Sequence, residues 1–375
     1  MIGITPLLRY LKQQQNEIYV LTKRTGEEIL RHNPNVDKLI LHNDEFKKVN
    51  PEWKDDVPND KLGDFFKAVE QAYEIDKTIN LCESWEVKLA RCPHEPNFKY
   101  PKQWAEENCD INYYEQIFKL AEIENFIKSY DYNIENAIRN GKQKFDDKFC
   151  EDLLFETFKP EMFFTEAEEI EMNNWFVDFR KLGKFVILWG LSGSAANKTY
   201  PYAPEVIFEI LEKYPQVCFL TVGDEVCRIL EIEFKAEVYE GKDRIKQKLC
   251  ERIIRRSGQW SIRQSALACK YANLVIAPDT GILHASGMYD TPKIGLLNHS
   301  SKNNITKYFK NDYSIEAKDL IHPFFEIVSC SPCMRIHYQK KITCNLMEVK
   351  HTQVPICMGC LKPEIVIKRI EGIIK

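Results

Sequence analysis

One stretch constrains this chain more than any other: Ala277-Pro278-Asp279-Thr280-Gly281-Ile282-Leu283-His284-Ala285-Ser286. The apolar run from Asn273 to Ala277 reads as a buried strand, and small polar residues then turn it into a helix-like segment carrying His284 in its first turn. A strand that feeds a glycine-containing turn and a helix start leaves backbone N–H groups unpaired at the positive end of the helix dipole. Such a place suits a phosphate or diphosphate.

The rest of the chain alternates around that unit. Thr5-Pro6-Leu7-Leu8-Arg9-Tyr10-Leu11-Lys12 reads as an amphipathic helix with Thr5 as its N-cap. Ile18–Thr22, Val36–Leu41 and Lys77–Leu81 read as strands, with a helix between the first two that ends near Asn33-Pro34. Residues 82–150 are aromatic, charged and broken by prolines, and read as a helical and loop insertion. A charged segment, 156–184, separates two halves. The second half gives strands at 184–189, Val217–Val222, Val238–Tyr239, Leu274–Ala277 and Lys293–Leu297, with helices at Pro204–Lys213 and Ile262–Tyr271. Alternation of this kind predicts parallel sheets with right-handed crossovers. Folds of this class usually open on a strand whereas this chain opens on a helix, so either the first strand is missing or the sheet is atypical.

In such a fold the loops at the carboxyl ends of strands hold the ligand. The loops after Trp189, Val222, Ala277 and Leu297 are expected to converge. After Trp189 come Gly190-Leu191-Ser192-Gly193-Ser194-Ala195-Ala196-Asn197-Lys198, with small residues for close backbone approach, hydroxyl donors and one ammonium for phosphate. The loop is neither a Walker loop nor a Gly-x-Gly-x-x-Gly fingerprint. After Val222, Gly223-Asp224-Glu225 offers an acid for ribose hydroxyls or a base amine, or alternatively a cap for the next helix.

Together, Ser192–Lys198 with Thr199-Tyr200-Pro201, Trp260-Ser261-Ile262-Arg263-Gln264, and Asp279–His284 resemble the donor domain of glycosyltransferase family 9, the lipopolysaccharide heptosyltransferase family. Thr5–Lys12 and Asn33-Pro34-Asn35-Val36-Asp37 are similar to its first domain. The resemblance implies an α/β GT-B enzyme, two Rossmann-like domains facing across a cleft. Residues 1–165 would be the acceptor domain, 180–360 the nucleotide-sugar donor domain and 361–375 a closing helix packed back on the first domain. It implies inverting transfer of a sugar, commonly heptose from an ADP-linked donor, to a glycan or lipopolysaccharide-type acceptor. Donor contacts would fall on Ser192, Gly193, Ser194, Lys198, Asp224 (with Glu225 as neighbour), Asp279, Thr280, Gly281 and His284. Lys198 and His284 would serve catalysis, stabilising the leaving diphosphate without a catalytic metal. The family's Gly-Asp pair, whose Asp is the general base, falls immediately before Met1. A non-catalytic member that binds a nucleotide sugar is the other reading of the same residues.

A net charge of −4 supplies no global attraction for nucleic acid, and the basic segment Lys242–Arg256 reads as a solvated helix face. No apolar run reaches the ~20 residues that span a bilayer, and the chain does not open on a signal peptide. The expected location is therefore the cytoplasm, with peripheral contact to the inner membrane surface implied by the resemblance. In that compartment the 13 cysteines are not a disulfide framework. Cys330-x-x-Cys333, Cys344 and Cys357-x-x-Cys360 have metal-site spacing, suited to structural zinc or iron. The resemblance selects Cys330, Cys333, Cys344 and Cys357 as ligands and leaves Cys360 spare.

Overall fold

The structure, a computed structural model, describes residues 1–53, 57, 61–79, 81, 112–123, 155–193, 196–320, 331–333, 346–349 and 352–374. The first half contributes α1 (Thr5–Gln13), β1 (Tyr19–Thr22), α2 (Arg24–Leu30) and β2 (Lys38–Leu41). The two strands pair in parallel, Val20 opposite Leu39. Thr5 lies inside the first turn of α1 rather than capping it. Its hydroxyl donates to the Ile2 carbonyl at 2.8 Å and accepts from the Glu161 N–H at 2.8 Å. α3 (His42–Val49) and α4 (Leu62–Ala72) close a small core of Ile40, Phe46, Phe65 and Val69. Lys77–Ile79 form no strand, contrary to the alternation pattern, and Asn80 lies outside the described residues. Of the insertion, only 112–123 are described, as α5 (Tyr113–Leu120), where Asn112 accepts from the N–H groups of Tyr114 and Glu115.

α6 (Glu166–Lys181) crosses between the halves. It starts on a capping box in which Thr165 and Glu168 satisfy each other's backbone N–H. The second half then runs β3 (Phe185–Gly190), α7 (Ala203–Lys213), β4 (Val217–Val222), α8 (Glu225–Glu240), α9 (Arg244–Leu249) and β5 (Ile253–Arg255). It continues with α10 (Ile262–Tyr271), β6 (Leu274–Pro278), α11 (Gly281–Ser286), β7 (Lys293–Leu297), α12 (Lys302–Ile305) and β8 (Ile315–Glu316). An antiparallel hairpin, β9 (Leu346–Val349) and β10 (Thr352–Pro355), leads to α13 (Ile356–Gly359) and α14 (Pro363–Ile374).

Six parallel strands form one sheet in the order β5-β4-β3-β6-β7-β8. The order reverses between β3 and β6, the switch point of a doubly wound Rossmann sheet. Side chains alternate along each strand and divide the core in two. Val186, Leu188, Leu220, Val222, Val275 and Ala277 face one layer; Ile187, Trp189, Phe219, Leu274 and Ile276 face the other. The first layer also takes in Ile2, Leu7, Tyr114 and Phe158, so the first half packs directly on that face.

Two sequence expectations are corrected here. Val238 and Tyr239 belong to α8, because Cys227, Phe234 and Val238 recur at helical spacing against the core. The edge strand is instead β5, within the basic segment, where Arg252 donates to the carbonyls of Tyr214 and Val217 at 3.0 and 3.1 Å rather than facing solvent. The closing helix α14 buries Val366, Ile367 and Ile370 against the donor-half core beside α7, where Lys213 also pairs with Glu371. Among the described residues it packs on the donor half, not on the first half as the resemblance implies.

Arg263 on α10 is one of several polar ties between the halves, beside Asn112 Nδ2 donating to the Asn303 carbonyl at 2.8 Å and Lys307 pairing with Glu115 at 2.7 Å. Arg263 is 4% exposed and donates to Glu168 Oε1 and Oε2 at 2.6 and 2.8 Å, to the Phe163 carbonyl at 2.7 Å and to the Glu28 carbonyl at 2.9 Å. The Arg263 hydrogen bond is the main cause that lowers the Glu168 carboxyl to about 2. A carboxylate whose folded pKa is depressed adds stability above its unfolded pKa of about 4.3 and loses it as pH falls through the folded value. Thermal unfolding is therefore expected to weaken between about pH 4.5 and pH 2, and Glu168→Gln should flatten that slope in melts taken across this range.

Candidate functional site

The switch point brings the β3 and β6 loops side by side. Gly193 lies against both Lys198 and Thr280. A Cβ there would stand 2.7 Å from Lys198 Cδ and 2.8 Å from Thr280 Cγ2, so only glycine permits this approach. Ser192 is buried and shares a 2.7 Å hydrogen bond with the Thr199 hydroxyl. Lys198, on a short 3₁₀ turn (Ala196–Lys198), is 6% exposed.

Asp279 is the hub. Its Oδ2 accepts from His299 Nε2 at 3.1 Å and its Oδ1 lies 3.5 Å from His284 Nε2. Burial alone would raise its carboxyl. The Lys198 charge and the bonds from His284 and His299 overcome that and hold it well below the usual carboxylate range. The other nitrogen of His299, Nδ1, lies 2.7 Å from Asn298 Oδ1. The orientation of that amide is fixed, because Asn298 Nδ2 donates to the Asn197 carbonyl at 2.7 Å. Both nitrogens of His299 thus face acceptor oxygens, an arrangement that an imidazolium satisfies. Lys198 and the imidazoles of His284 and His299 thus converge on one buried carboxylate. Two hydroxyls beside it, Thr280 Oγ1 and Ser300 Oγ, are buried with no hydrogen-bond partner among the described residues. A buried cluster of hydrogen-bond donors and one ammonium, with unsatisfied hydroxyls beside it, is suited to an anionic ligand.

His284 is held from both sides. Its Nδ1 takes a 3.1 Å bond from Tyr114, whose hydroxyl is kept protonated by burial, while the Tyr113 ring lies 5.4 Å away. α11 is a single short helix of 6 residues starting at Gly281, so the Lys198 ammonium carries more of the site's charge than the helix dipole. Asp224 stands apart: exposed at the end of β4, it caps α8 by accepting from the Val226 and Cys227 N–H groups at 3.0 and 3.2 Å. Glu225 pairs with Arg228 on the surface at 2.9 Å. Ser194 lies outside the described residues.

The sequence reading did not name Tyr114, Asn298, His299 or Ser300. The last three sit in the loop after β7 that it expected to converge, and a run of polar residues directly after an apolar strand was the available signal. Tyr114, inside an insertion without a motif, had none.

Among the cysteines, Cys218, Cys227, Cys269, Cys357 and Cys360 are buried. Cys330 and Cys344 lie outside the described residues. Cys333 and Cys357 each contact the turn at Asn298–His299: the Cys333 N–H donates to the His299 carbonyl at 3.0 Å, and Asn298 Nδ2 lies 3.8 Å from Cys357 Sγ. Among the described residues no three His, Cys, Asp or Glu side chains gather as a metal site. Nor is any described helix long and apolar enough to cross a membrane.

No protein-family profile matches the chain, and neither does any curated protein. Among solved structures, the fold is similar to that of a glycosyl transferase family 9 protein from Veillonella parvula DSM 2008. The TM-score is 0.51 at 14% identity, over 99% of this chain and 93% of that one. The E. coli ADP-heptose LPS heptosyltransferase II aligns over 100% of this chain and 94% of its own, at 11% identity and a TM-score of 0.49. An E. coli heptosyltransferase with ADP-2-deoxy-2-fluoro heptose aligns over 99% and 95%, at 10% identity and a TM-score of 0.46. At such identities the likeness to the Veillonella protein establishes the fold: GT-B, with the six-stranded sheet as its second half.

Proposed function

We propose that this chain is a glycosyltransferase that takes a sugar, heptose in the first instance, from an ADP-linked diphosphate donor to a glycan or lipopolysaccharide-type acceptor. One observation carries the reading: a buried centre in which Lys198, His284 and His299 converge on Asp279, with two hydroxyls unpaired among the described residues, at the switch point of the sheet. The diphosphate would lie against Lys198, Gly193 and Thr280, with Ser192 and His284 alongside. As the bond from sugar to phosphate breaks, negative charge grows on the leaving diphosphate. Lys198 and His299 meet it already oriented, with no reorganisation to wait for. Asp279 anchors Lys198 and His299; a carboxylate held well below its usual range is a poor proton acceptor and is not the general base. Attack by the acceptor hydroxyl from the opposite side of the sugar would invert the anomeric centre. The test is release of ADP from ADP-heptose by the purified chain with an acceptor lipopolysaccharide core, followed chromatographically. Turnover that needs the acceptor supports the proposal, and no release with any core acceptor contradicts it.

The second reading, a protein that binds the donor without transferring the sugar, is favoured by the same property of Asp279. Saturable ADP binding without turnover would select it.

For the cysteines we propose a structural zinc or iron ion held by Cys330, Cys333, Cys344 and Cys357. The contacts of Cys333 and Cys357 with the Asn298–His299 turn support this. Such an ion would stabilise the loop behind His299 and take no part in transfer. Elemental analysis of the purified chain should find about one ion per chain. Cys333→Ser should lose it and Cys360→Ser should keep it; metal-free protein contradicts the proposal.

A further inference from the structure

Away from the switch point, the outer face of α8 and the end of β5 enclose an open groove of about 560 Å³, within the size range of small-molecule sites. Arg228, Lys235 and Arg255 line it, together with Ile232 and Tyr239, and Glu231 lies at its base. Glu231 is 4% exposed and accepts a short bond of 2.5 Å from the Ser257 hydroxyl, so its carboxyl is committed inward. Burial pushes that carboxyl up, while the bonds from Ser257 and Thr221 and the Arg255 charge pull the other way. Arg228 has an exposed pairing with Glu225 at 2.9 Å, of the kind that contributes little. The Arg255 charge acts on the Glu231 carboxylate, and the Lys235 ammonium lies 5.3 Å from the Tyr239 ring. Three cations thus share one concavity while the acid beneath them is otherwise engaged. A concave wall of one sign focuses its field on whatever enters.

The other wall is apolar. Ile232 is 55% exposed and Tyr239 49% exposed, a large uncovered surface for side chains of this kind. Arginine matches the oxygens of a phosphate with paired donors, a lysine adds a point charge, and a tyrosine face accepts a flat or aliphatic body.

We propose that this groove is a second ligand site, separate from the switch-point centre, that binds a phosphate monoester carrying a small apolar or aromatic body. Arg255 and Lys235 hold the phosphate, Arg228 reinforces them from the rim, and Tyr239 with Ile232 covers the body. The site stands independently of the donor assignment, since it shares none of Ser192, Lys198, Asp279 or His299.

Calorimetric titration of the full chain with phenyl phosphate tests it. The expected result is saturable binding that weakens at least about tenfold in both Arg255→Gln and Lys235→Ala, and that is unchanged in Lys198→Ala. Lys235 is partly exposed and has no hydrogen-bonded partner among the described residues, so its replacement leaves the fold intact and keeps the test valid if Arg255→Gln lowers expression. No binding, binding indifferent to Arg255→Gln and Lys235→Ala, or binding lost in Lys198→Ala would each overturn the proposal.

Discussion

Lys198→Ala is expected to lower the rate of donor cleavage by about 10²–10³-fold, the size of effect seen when one preoriented group is removed from developing negative charge. The reason is local. Lys198 is buried, touches Gly193 in the β3 loop and is the leading charge that keeps Asp279 ionised. Its removal takes away a contact to the leaving diphosphate and leaves a buried carboxylate with less compensation. The loss should appear in kcat more than in KM, because charge on the diphosphate grows as the bond breaks. Lys198→Arg should restore part of the rate, since charge returns with a different shape. A Lys198→Ala protein within tenfold of the parent would mean that the diphosphate does not sit here.

Arg263→Met is expected to be the most destabilising single change at the junction of the halves. A buried cation with two carboxylate bonds and two bonds to backbone carbonyls is lost at once, and the carbonyls of Phe163 and Glu28 lose their donor. Breaking a buried pair on one side costs about 3–5 kcal/mol; Glu168 is partly exposed and can regain water, so about 3 kcal/mol is the expected loss. That corresponds to a drop of about 3–6 °C in Tm by calorimetry. Arg263→Lys should recover little, because an ammonium cannot reach the paired oxygens and the carbonyls together. An unchanged Tm would show that the halves are held by their shared apolar core, with Ile2, Leu7 and Tyr114 packed on Leu188 and Leu283, and not by this tie.

The strands at the centre of the sheet were legible because they are buried on both faces and read as unbroken apolar runs. β4 and β7 match the expected bounds, β6 extends them by one residue and β3 is shifted by one. β5 was not legible, being a three-residue edge strand that ends on an arginine inside a basic segment. Val238-Tyr239 misled for the opposite reason: two residues of high strand propensity sit on a helix whose buried face tertiary packing sets. In the site, Ser192, Gly193, Lys198, Asp279, Thr280 and His284 come together because each follows a central strand, and the topology alone brings those ends into register. His299 was hidden by its neighbours. A polar residue in a polar loop has no periodicity, and its importance appears only when a buried carboxylate is found at 3.1 Å. Asp224 shows the reverse, an acid in a promising place whose oxygen is spent on the first turn of α8.

The central claim is that the centre formed by Lys198, Asp279 and His299 receives a nucleotide diphosphate. Calorimetric titration of ADP into the full chain tests it most directly. The account predicts one saturable site, weakened at least about tenfold by Lys198→Ala and by Asp279→Asn, with both variants folded by circular dichroism. ADP that fails to bind, or that binds both variants as tightly as the parent, would contradict it.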